Sequence, residues 1–331
     1  MILLSFGTRP EWIKIKPLIE RIGDAMPYKL LFTGQHEDLL SKVNENIKLE
    51  KLKIYNGSNR LDSIVSSIMN NESIFEGVTS VLVQGDTTSA FSIALAAFHR
   101  RIKVIHLEAG LRTYDKNQPY PEEFNRQAIS RIADIHLCPT KLSKEFLINE
   151  KVQGVKEVVG NTVLDNLLHV NPSYTNKVVI TMHRRENHAN MDKWFRELNT
   201  LAATHPELEF IFPLHPNPNV QKHKHLLKNI KVTDPMEYVD FIDLLAKTKF
   251  VITDSGGLQE ETSFLAKKCI VCREKTERSE GVGTFSFMCN FPENLKNVFN
   301  QVNLDHIPIG KCPYGSGNAS EKIYRILSNE L

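Results

Sequence analysis

Met1-Ile2-Leu3-Leu4-Ser5-Phe6-Gly7-Thr8-Arg9-Pro10-Glu11 opens the chain, and this stretch decides the fold. Its apolar residues predict a first strand that leads into a glycine-containing turn, and apolar positions then recur at helical spacing over 13–22. A strand, a tight turn and a helix N-terminus form the usual anion site of an α/β protein. Arg9 could hold a carboxylate or phosphate through two hydrogen bonds, and Lys14 would add a point charge. The alternative is that both side chains are only solvated.

Length and composition limit the class of protein. The 331 residues, 41% of them hydrophobic, suggest two domains of an ordinary globular protein. The longest apolar runs are far shorter than the ~20 residues that span a bilayer. The first strand begins at Met1, without room for a signal peptide. We therefore expect a cytoplasmic protein with no membrane partner. A net charge of +2, with both signs spread along the chain, argues against a nucleic-acid partner.

The five cysteines do not indicate a metal site. Their odd number and the missing leader suggest reduced thiols. Cys269 and Cys272 form a C-x-x-C motif, but they lie in the strand-like stretch Lys268–Arg273. Side chains three apart on a strand point to opposite faces, so these two cannot share a metal ion. We expect no metal.

Strand-like runs alternate with helical patterns along the chain, which predicts parallel sheets with crossover helices. The predicted strands are 2–5, 28–33, 80–84, 103–107, 135–138, 177–182, 209–213, 250–253 and 268–272. A polar, proline-containing segment over 170–177 precedes a fresh strand, so we place the domain junction there. We expect an α/β fold with two doubly wound domains, 1–170 and 171–310, facing a cleft. Ligands of such sheets bind outside the carboxyl ends of the strands.

Carboxylates follow the strands of the first domain. Asp86 ends one strand, Glu108 ends the next, and Pro121-Glu122-Glu123 opens a helix about a dozen residues later. Side chains of this kind could act as general bases or acids, or hold sugar hydroxyls. The alternatives are that Asp86 only caps a helix and that the glutamates only complement a helix dipole.

Phosphate-binding chemistry follows the strands of the second domain. His183 and Arg184 come at one strand end, which suits a phosphate or pyrophosphate. Another strand leads into Asp254-Ser255-Gly256-Gly257, where small residues before a helix expose backbone N–H groups. Glu261 could accept hydrogen bonds from ribose hydroxyls, and Arg278 lies beyond the next strand.

Motifs for other chemistries are missing from the sequence. No G-x-G-x-x-G follows the first strand, and neither a Walker A lysine loop nor an H-E-x-x-H helix occurs. The pattern predicts a phosphate-bearing nucleotide held mainly by the second domain, with its reactive end toward the carboxylates of the first. We expect no cofactor.

These residues together resemble the non-hydrolysing UDP-N-acetylglucosamine 2-epimerases, and the resemblance covers nearly the whole chain. It is carried by Phe6–Glu11, Gly85–Thr88, Glu108–Thr113, Pro121–Arg126, Gly160–Val163, His183–Glu186, His215–Pro218, Asp254–Glu261 and Pro313–Gly317. The resemblance implies a fold of the GT-B type whose last segment, 311–331, returns to the first domain. It also implies a homodimer.

The resemblance implies reversible conversion of UDP-GlcNAc to UDP-ManNAc. In that reaction the C2 proton and UDP leave together, giving 2-acetamidoglucal, and UDP adds back after protonation of the other face. No nicotinamide is needed, and a closed site keeps both fragments together. The implied proton-transfer and sugar-anchoring residues are Asp86, Glu108 and Glu122, with His183 at the phosphates. The implied UDP-binding residues are Arg9, Lys14, Arg112, His183, Arg184, Phe241, Ser255, Gly256, Gly257, Glu261 and Arg278.

The chain departs from the family pattern in three places. Gln35-His36-Glu37-Asp38-Leu39 replaces a Gln-His-Arg-x-Met stretch linked to an activating second UDP-GlcNAc, and Glu37 would repel a diphosphate. We therefore expect no such activation. Trp12 replaces a frequent alanine, and Glu277-Arg278-Ser279-Glu280 lacks the usual proline.

Three other functions are compatible with the sequence. A hydrolysing relative would release ManNAc and UDP, but such enzymes generally lack the proline of Arg9-Pro10-Glu11. A GT-B glycosyltransferase would not need three carboxylates around C2. A UDP-sugar sensor would not need the acidic and histidine positions. A UDP-ManNAc source would supply a cell-surface polysaccharide.

Overall fold

The computed structural model describes residues 1–35, 49–54 and 59–330. Within them the chain divides into two compact units. Unit 1 comprises Met1–Asn166 and Gly315–Leu331, and unit 2 comprises Leu167–Tyr314.

Unit 1 contains a seven-stranded sheet whose described pairings are all parallel. Its strands are β1 (Ile2–Phe6), β2 (Tyr28–Phe32), β3 (Leu49–Lys51), β4 (Ser80–Gln84), β5 (Lys103–Leu107), β6 (Ile135–Cys138) and β7 (Val155–Val158). Their order is β3-β2-β1-β4-β5-β6-β7. The order reverses direction between β1 and β4, which makes the crevice beyond these two strands the expected ligand position.

Helices cover this sheet because their apolar faces match its two buried surfaces. They are α1 (Arg9–Ile22), α2 (Arg60–Met69), α3 (Thr88–His99), α4 (Glu122–Ile132), α5 (Lys141–Asn149) and α11 (Ala319–Glu330). All five residues of β1 are buried, with Ile2 and Leu4 facing the α1 side and Leu3 the α3 side. Ile323 and Leu327 bring the C-terminal helix α11 into the same core as α1. The predicted return of the last helix to the first domain is confirmed.

Unit 2 contains a six-stranded parallel sheet of the order β10-β9-β8-β11-β12-β13. Its strands are β8 (Lys177–Thr181), β9 (Glu209–Pro213), β10 (Lys231–Thr233), β11 (Phe250–Thr253), β12 (Cys269–Val271) and β13 (Ser286–Met288). Its helices are α6 (Met191–Thr204), α7 (Pro218–Gln221), α8 (Tyr238–Ala246), α9 (Leu258–Phe264) and α10 (Leu295–Leu304). Trp194, Phe195 and Phe299 fill a core of their own. The strand order reverses between β8 and β11.

The two predicted doubly wound parallel-sheet domains are confirmed, and all nine predicted strands are present with ends within one residue. The predicted strands missed β3, β7, β10 and β13. All four lie at the edges of the sheets. No helix in the described part of the chain has the length and apolar character to cross a membrane.

Candidate active site

The switch point of unit 1 is organised around the carboxylate of Glu11. Its Oε2 accepts hydrogen bonds from the backbone N–H of Gly7 at 2.9 Å and of Thr8 at 2.7 Å, and from Thr8 Oγ1 at 2.8 Å. Its Oε1 accepts from Thr87 Oγ1 at 2.7 Å. Burial raises the pKa of the Glu11 carboxyl, while these donors act in the opposite direction. One carboxylate therefore joins the loop after β1 to the loop after β4.

Asp86 lies in the loop after β4 and does not cap α3. The helix cap is Thr87, whose Oγ1 accepts from the N–H of Ala90 at 3.0 Å, so the capping alternative for Asp86 is wrong. Oδ2 of Asp86 accepts from both Nε and an Nη of Arg126 on α4, and Asn125 Nδ2 donates to its backbone oxygen at 2.9 Å. The Asp86 side chain keeps 26% of its surface exposed, so it is held in place yet accessible.

A buried histidine on the neighbouring strand contacts the backbone of the loop that carries Asp86. Nε2 of His106, on β5, lies 2.8 Å from the carbonyl oxygen of Gly85, which has a φ of +69°. Because a carbonyl only accepts, Nε2 carries the proton. Burial lowers the pKa of His106 to about 3, so the ring is neutral at ordinary pH. The neutral ring fixes the turn that carries Asp86.

Glu108 directly follows β5 and has a strained backbone conformation, with a φ of +65°. Nζ of Lys14 lies 2.6 Å from each of its carboxylate oxygens. Asn161 Nδ2 donates to Oε1 at 3.0 Å, and Gln84 Nε2 donates to Oε2. The side chain is buried, and both its oxygens are engaged by donors from three other segments.

The two glutamates that open α4 differ in their surroundings. Glu122 is the first residue of the helix and is half-buried. Glu123 is fully buried and accepts from the N–H groups of Thr113 and Tyr114, at 3.0 and 3.1 Å. It also pairs with Arg126 at 3.1 Å. Glu123 thus fastens the 113–114 loop to the helix that carries the Asp86 partner.

Of the two predicted arginines in unit 1, Arg112 is buried and Arg9 is half-buried at the start of α1. The guanidinium of Arg112 contacts both carboxylate oxygens of Glu150, at 2.7 and 3.0 Å, and the hydroxyl of Ser130 at 2.9 Å. These contacts connect the loop between β5 and α4 to α4 itself and to the end of α5. The predicted role of Arg112 in UDP binding stays a prediction.

Asp254, fully buried after β11, organises the switch point of unit 2. Its carboxylate accepts from the backbone N–H of His183 at 2.9 and 3.1 Å and of Arg184 at 2.8 Å. Asn187 Nδ2 adds a further bond at 3.1 Å. Asp254 therefore sets the backbone of the loop after β8, and with it the His183 side chain.

The imidazole of His183 stacks on that of His215, with ring centroids 4.8 Å apart and an interplanar angle of 13°. Burial is the main cause that lowers the pKa of both rings, and neighbouring positive groups add to it, although Asp254 acts in the opposite direction. Two neutral imidazoles thus lie together beyond β8 and β9. The Asn217 N–H donates to Nδ1 of His215 at 3.1 Å, which leaves its proton on Nε2.

The loop from Ser255 to Gly257 leads into α9. The N–H of Ser255 donates to Thr253 Oγ1 at 2.9 Å, whereas the N–H groups of Gly256 and Gly257 donate to no acceptor within the described residues. A Cβ on Gly256 would lie 2.6 Å from Glu277 Oε1 and 2.9 Å from an Nη of Arg278. Any larger residue at this position would require the ends of the Glu277 and Arg278 side chains to move.

The other predicted residues of unit 2 surround this loop. Arg278 is buried, pairs with Glu260 at 2.9 Å and also contacts Glu277. Glu261 accepts from the hydroxyl of Tyr238 at 2.8 Å, and the burial of Tyr238 raises its pKa. Phe241 is half-buried on α8.

The sequence reasoning missed several residues that organise these loops, namely Glu11, His106, Arg126 and Asp254 as supports and His215 as the partner of His183. Glu11 and Asp254 stood inside quoted motifs, but their roles depend on backbone N–H groups that a sequence does not display. Among the described residues, no cluster of three or more His, Cys, Asp or Glu side chains could hold a metal ion.

Comparison with known proteins places the chain in a family. A family profile described as UDP-N-acetylglucosamine 2-epimerase matches residues 21–328. The UDP-N-acetylglucosamine 2-epimerase of Campylobacter jejuni is 36% identical, over 98% of this chain and 97% of its own length.

Solved structures agree with the sequence comparison. The crystal structure of the Neisseria meningitidis UDP-GlcNAc 2-epimerase bound to UDP-GlcNAc has a TM-score of 0.90 and 34% identity, and the match covers 99% of this chain and 100% of that one. The Methanocaldococcus jannaschii enzyme in complex with UDP-GlcNAc and UDP has a TM-score of 0.81 and 28% identity, with 99% of both chains covered. The GT-B-type fold is confirmed, and the chain belongs to the UDP-N-acetylglucosamine 2-epimerase family.

Proposed function

We propose that the protein is a non-hydrolysing UDP-GlcNAc 2-epimerase that interconverts UDP-GlcNAc and UDP-ManNAc. The observation that carries the proposal is the pair of ordered carboxylates in unit 1, Asp86 with Arg126 and Glu108 with Lys14. Relatives that match over nearly their full length carry the epimerase name, and two were solved with UDP-GlcNAc.

The reaction has to remove a proton from a carbon with no adjacent carbonyl. In the proposed mechanism a base takes the C2 proton while the C1–O bond to UDP breaks, and the electron pair of the C–H bond forms the C1–C2 double bond of 2-acetamidoglucal. An acid then protonates C2 on the other face, and UDP attacks C1 again. Since the sugar ends at its original oxidation level, no redox cofactor is required.

Asp86 is the carboxylate best suited to act as the base. Both Arg126 contacts go to Oδ2, and Oδ1 accepts no hydrogen bond within residues 1–35, 49–54 and 59–330. The two Arg126 contacts hold the Asp86 carboxylate in one orientation, so that Oδ1 can act as a general base. Glu108 is less suited because donors engage both its oxygens.

Glu108 and Lys14 would instead anchor the sugar or exchange the second proton, and half-buried Glu122 is the third candidate for these roles. The ammonium group of Lys14 donates a hydrogen bond to Glu108, which places a proton donor beside this carboxylate. Assigning the base to Asp86 therefore leaves two carboxylates for the opposite face and for the hydroxyls of the sugar.

We assign UDP mainly to unit 2. The N–H groups of Gly256 and Gly257 suit phosphate oxygens, with Ser255, Arg184 and Arg278 nearby in sequence or space. Neutral His183 would contact the phosphates or assist the departure of UDP. Glu261 would accept from ribose hydroxyls, and Phe241 would lie near uracil. Arg9, Lys14 and Arg112 complete the proposed UDP-binding set.

The wider role is proposed on the family resemblance. The enzyme would act in the cytoplasm, as a homodimer, and supply UDP-ManNAc for a cell-surface polysaccharide. Activation by a second UDP-GlcNAc is not expected, although His36, Glu37, Asp38 and Leu39, which carry that departure, lie outside the described residues.

The proposal is tested by incubating the purified protein with UDP-GlcNAc in ordinary water and following phosphorus and proton NMR spectra. We expect a mixture of UDP-GlcNAc and UDP-ManNAc in which the diphosphate diester signal is conserved. Accumulation of free UDP and ManNAc would show a hydrolase, and an unchanged spectrum would exclude UDP-GlcNAc as the sole substrate.

A further inference from the structure

The anion site that normally belongs to a ligand in a doubly wound domain is filled in unit 1 by the protein itself. The loop between β1 and α1 offers the N–H groups of Gly7 and Thr8, and both donate to Oε2 of Glu11. The Thr8 hydroxyl donates to the same oxygen. Glu11 is 2% exposed, so the carboxylate is enclosed. Its position is that of a phosphate in a nucleotide-binding loop.

The second oxygen of the carboxylate reaches another loop. Oε1 accepts a hydrogen bond from Thr87 Oγ1 at 2.7 Å, and Thr87 directly follows Asp86. The same hydroxyl oxygen accepts from the N–H of Ala90 and caps α3. A single enclosed carboxylate thus connects the start of α1, the start of α3 and the Asp86 loop.

We propose that Glu11 is a built-in anion that closes the phosphate site of unit 1 and acts as a positioning residue for Asp86. Its consequence for turnover rests on the proposed function, whereas its occupation of the anion site does not. The carboxylate accepts hydrogen bonds from the loop N–H groups as a bound phosphate would. Its contact with Thr87 restricts the backbone at the adjacent residue, Asp86. The N–H groups of Gly7 and Thr8 are thereby unavailable to a phosphate of the ligand.

The first experiment tests the built-in anion without any turnover. Glu11→Ala leaves an enclosed space lined by Gly7 N–H, Thr8 N–H and two hydroxyls, so sodium formate should bind there. We expect formate in the millimolar range to raise the melting temperature of Glu11→Ala by several degrees relative to equal sodium chloride. Wild type and Glu20→Ala, an exposed change on the same helix, should not respond.

The second experiment tests the positioning role by kinetics with UDP-GlcNAc. We expect Glu11→Ala to lower kcat about tenfold with little change in KM, and formate to restore part of it. Thr87→Val should lower kcat similarly, whereas Thr87→Ser keeps the hydroxyl and should retain most activity. If Glu11→Ala does not fold, Glu11→Gln fills the same space with one mismatched donor and should lower kcat without formate rescue.

Each result decides one part of the proposal. A Glu11→Ala protein that formate stabilises no better than chloride would overturn the built-in anion. Normal kcat in folded Glu11 variants, or equal loss in Thr87→Val and Thr87→Ser, would overturn the positioning role. If wild type does not turn over UDP-GlcNAc, the proposed function fails while the formate titration still decides the first part.

Discussion

The loop after β1 in unit 1 and the loop after β11 in unit 2 each border the point where the strand order of their sheet reverses, but their backbone N–H groups are used in opposite ways. In unit 1 the N–H groups of Gly7 and Thr8 donate to Glu11. In unit 2 those of Gly256 and Gly257 donate to nothing within the described residues. One loop carries its own anion, and the other offers donors to an anion from outside.

The difference teaches that a doubly wound topology does not determine which half binds the nucleotide. The topology brings a loop to the switch point, and the residues of that loop decide whether a ligand can use its N–H groups. A carboxylate three positions into α1 removes the phosphate site of unit 1. Two glycines before α9 leave their N–H groups available for the phosphate that we propose to bind in unit 2.

The largest expected effect comes from Asp86→Asn, because an amide cannot accept the C2 proton. Turnover of UDP-GlcNAc should fall about 10²-fold or more, as expected for the loss of acid–base catalysis. UDP affinity, measured by calorimetry, should stay within about twofold because UDP is assigned mainly to unit 2. Near-normal turnover would remove Asp86 from the mechanism. A large loss of UDP affinity would contradict the assignment of UDP mainly to unit 2.

Gly256→Ala tests the loop after β11 in unit 2 and should weaken its binding of UDP. Its Cβ would collide with Glu277 Oε1 and an Nη of Arg278, so we expect weaker UDP binding, by about tenfold, and a lower melting temperature. Gly257→Ala is the matched control for stability because its Cβ meets no atom within 4 Å. Equal melting temperatures for the two variants would contradict the crowding at Gly256.

His106→Phe removes the Nε2–H that donates to Gly85 while keeping a buried ring of similar size. We expect kcat to fall about tenfold with KM nearly constant, because the Asp86 turn loses a buried hydrogen bond. The control is His136→Phe on the neighbouring strand, where Nε2 lies 2.9 Å from the carbonyl of Gln153 instead. A similar loss in both variants would indicate a general disturbance of the sheet.

The smallest effect concerns pH and stability in unit 1. Burial lowers the pKa of His106 to about 3 and that of His136 to about 4, against 6.5 for an ordinary histidine. Because the unfolded state then binds more protons, stability should be fully present above pH 6.5 and be lost progressively as the pH falls toward 4. Urea midpoints at pH 7 and 5 measure this loss, and His136→Phe should reduce it. An unchanged pH dependence in that variant would contradict the buried neutral state.

The central strands could be predicted because both of their faces are buried and their sequences are apolar throughout. The edge strands could not be predicted in this way. Val155, Lys156, Glu157 and Val158 of β7 alternate between exposed and half-buried positions, so they lack the apolar run that identified the others. The same is true of β3, where two of three residues are exposed.

The candidate site could be predicted to the extent that it follows strand ends. Glu108 directly follows β5, and a single residue separates Asp86 from β4 and His183 from β8, so their position along the chain places them at the edge. Their supports lie elsewhere. Arg126 reaches Asp86 only because α4 packs beside α3, and Arg112 meets Glu150 only because α5 returns past the β5 loop. Tertiary packing of this kind leaves no local signal in the sequence.

Proton NMR of the wild-type protein with UDP-GlcNAc in D₂O tests the central claim most directly. Elimination of the C2 proton and return of a proton from an exchangeable group predict UDP-ManNAc that carries deuterium at C2, and UDP-GlcNAc that gains it as the equilibrium is approached. UDP-ManNAc that retains protium at C2 would contradict the account, because a separate acid on the other face of the sugar would have delivered deuterium from the solvent.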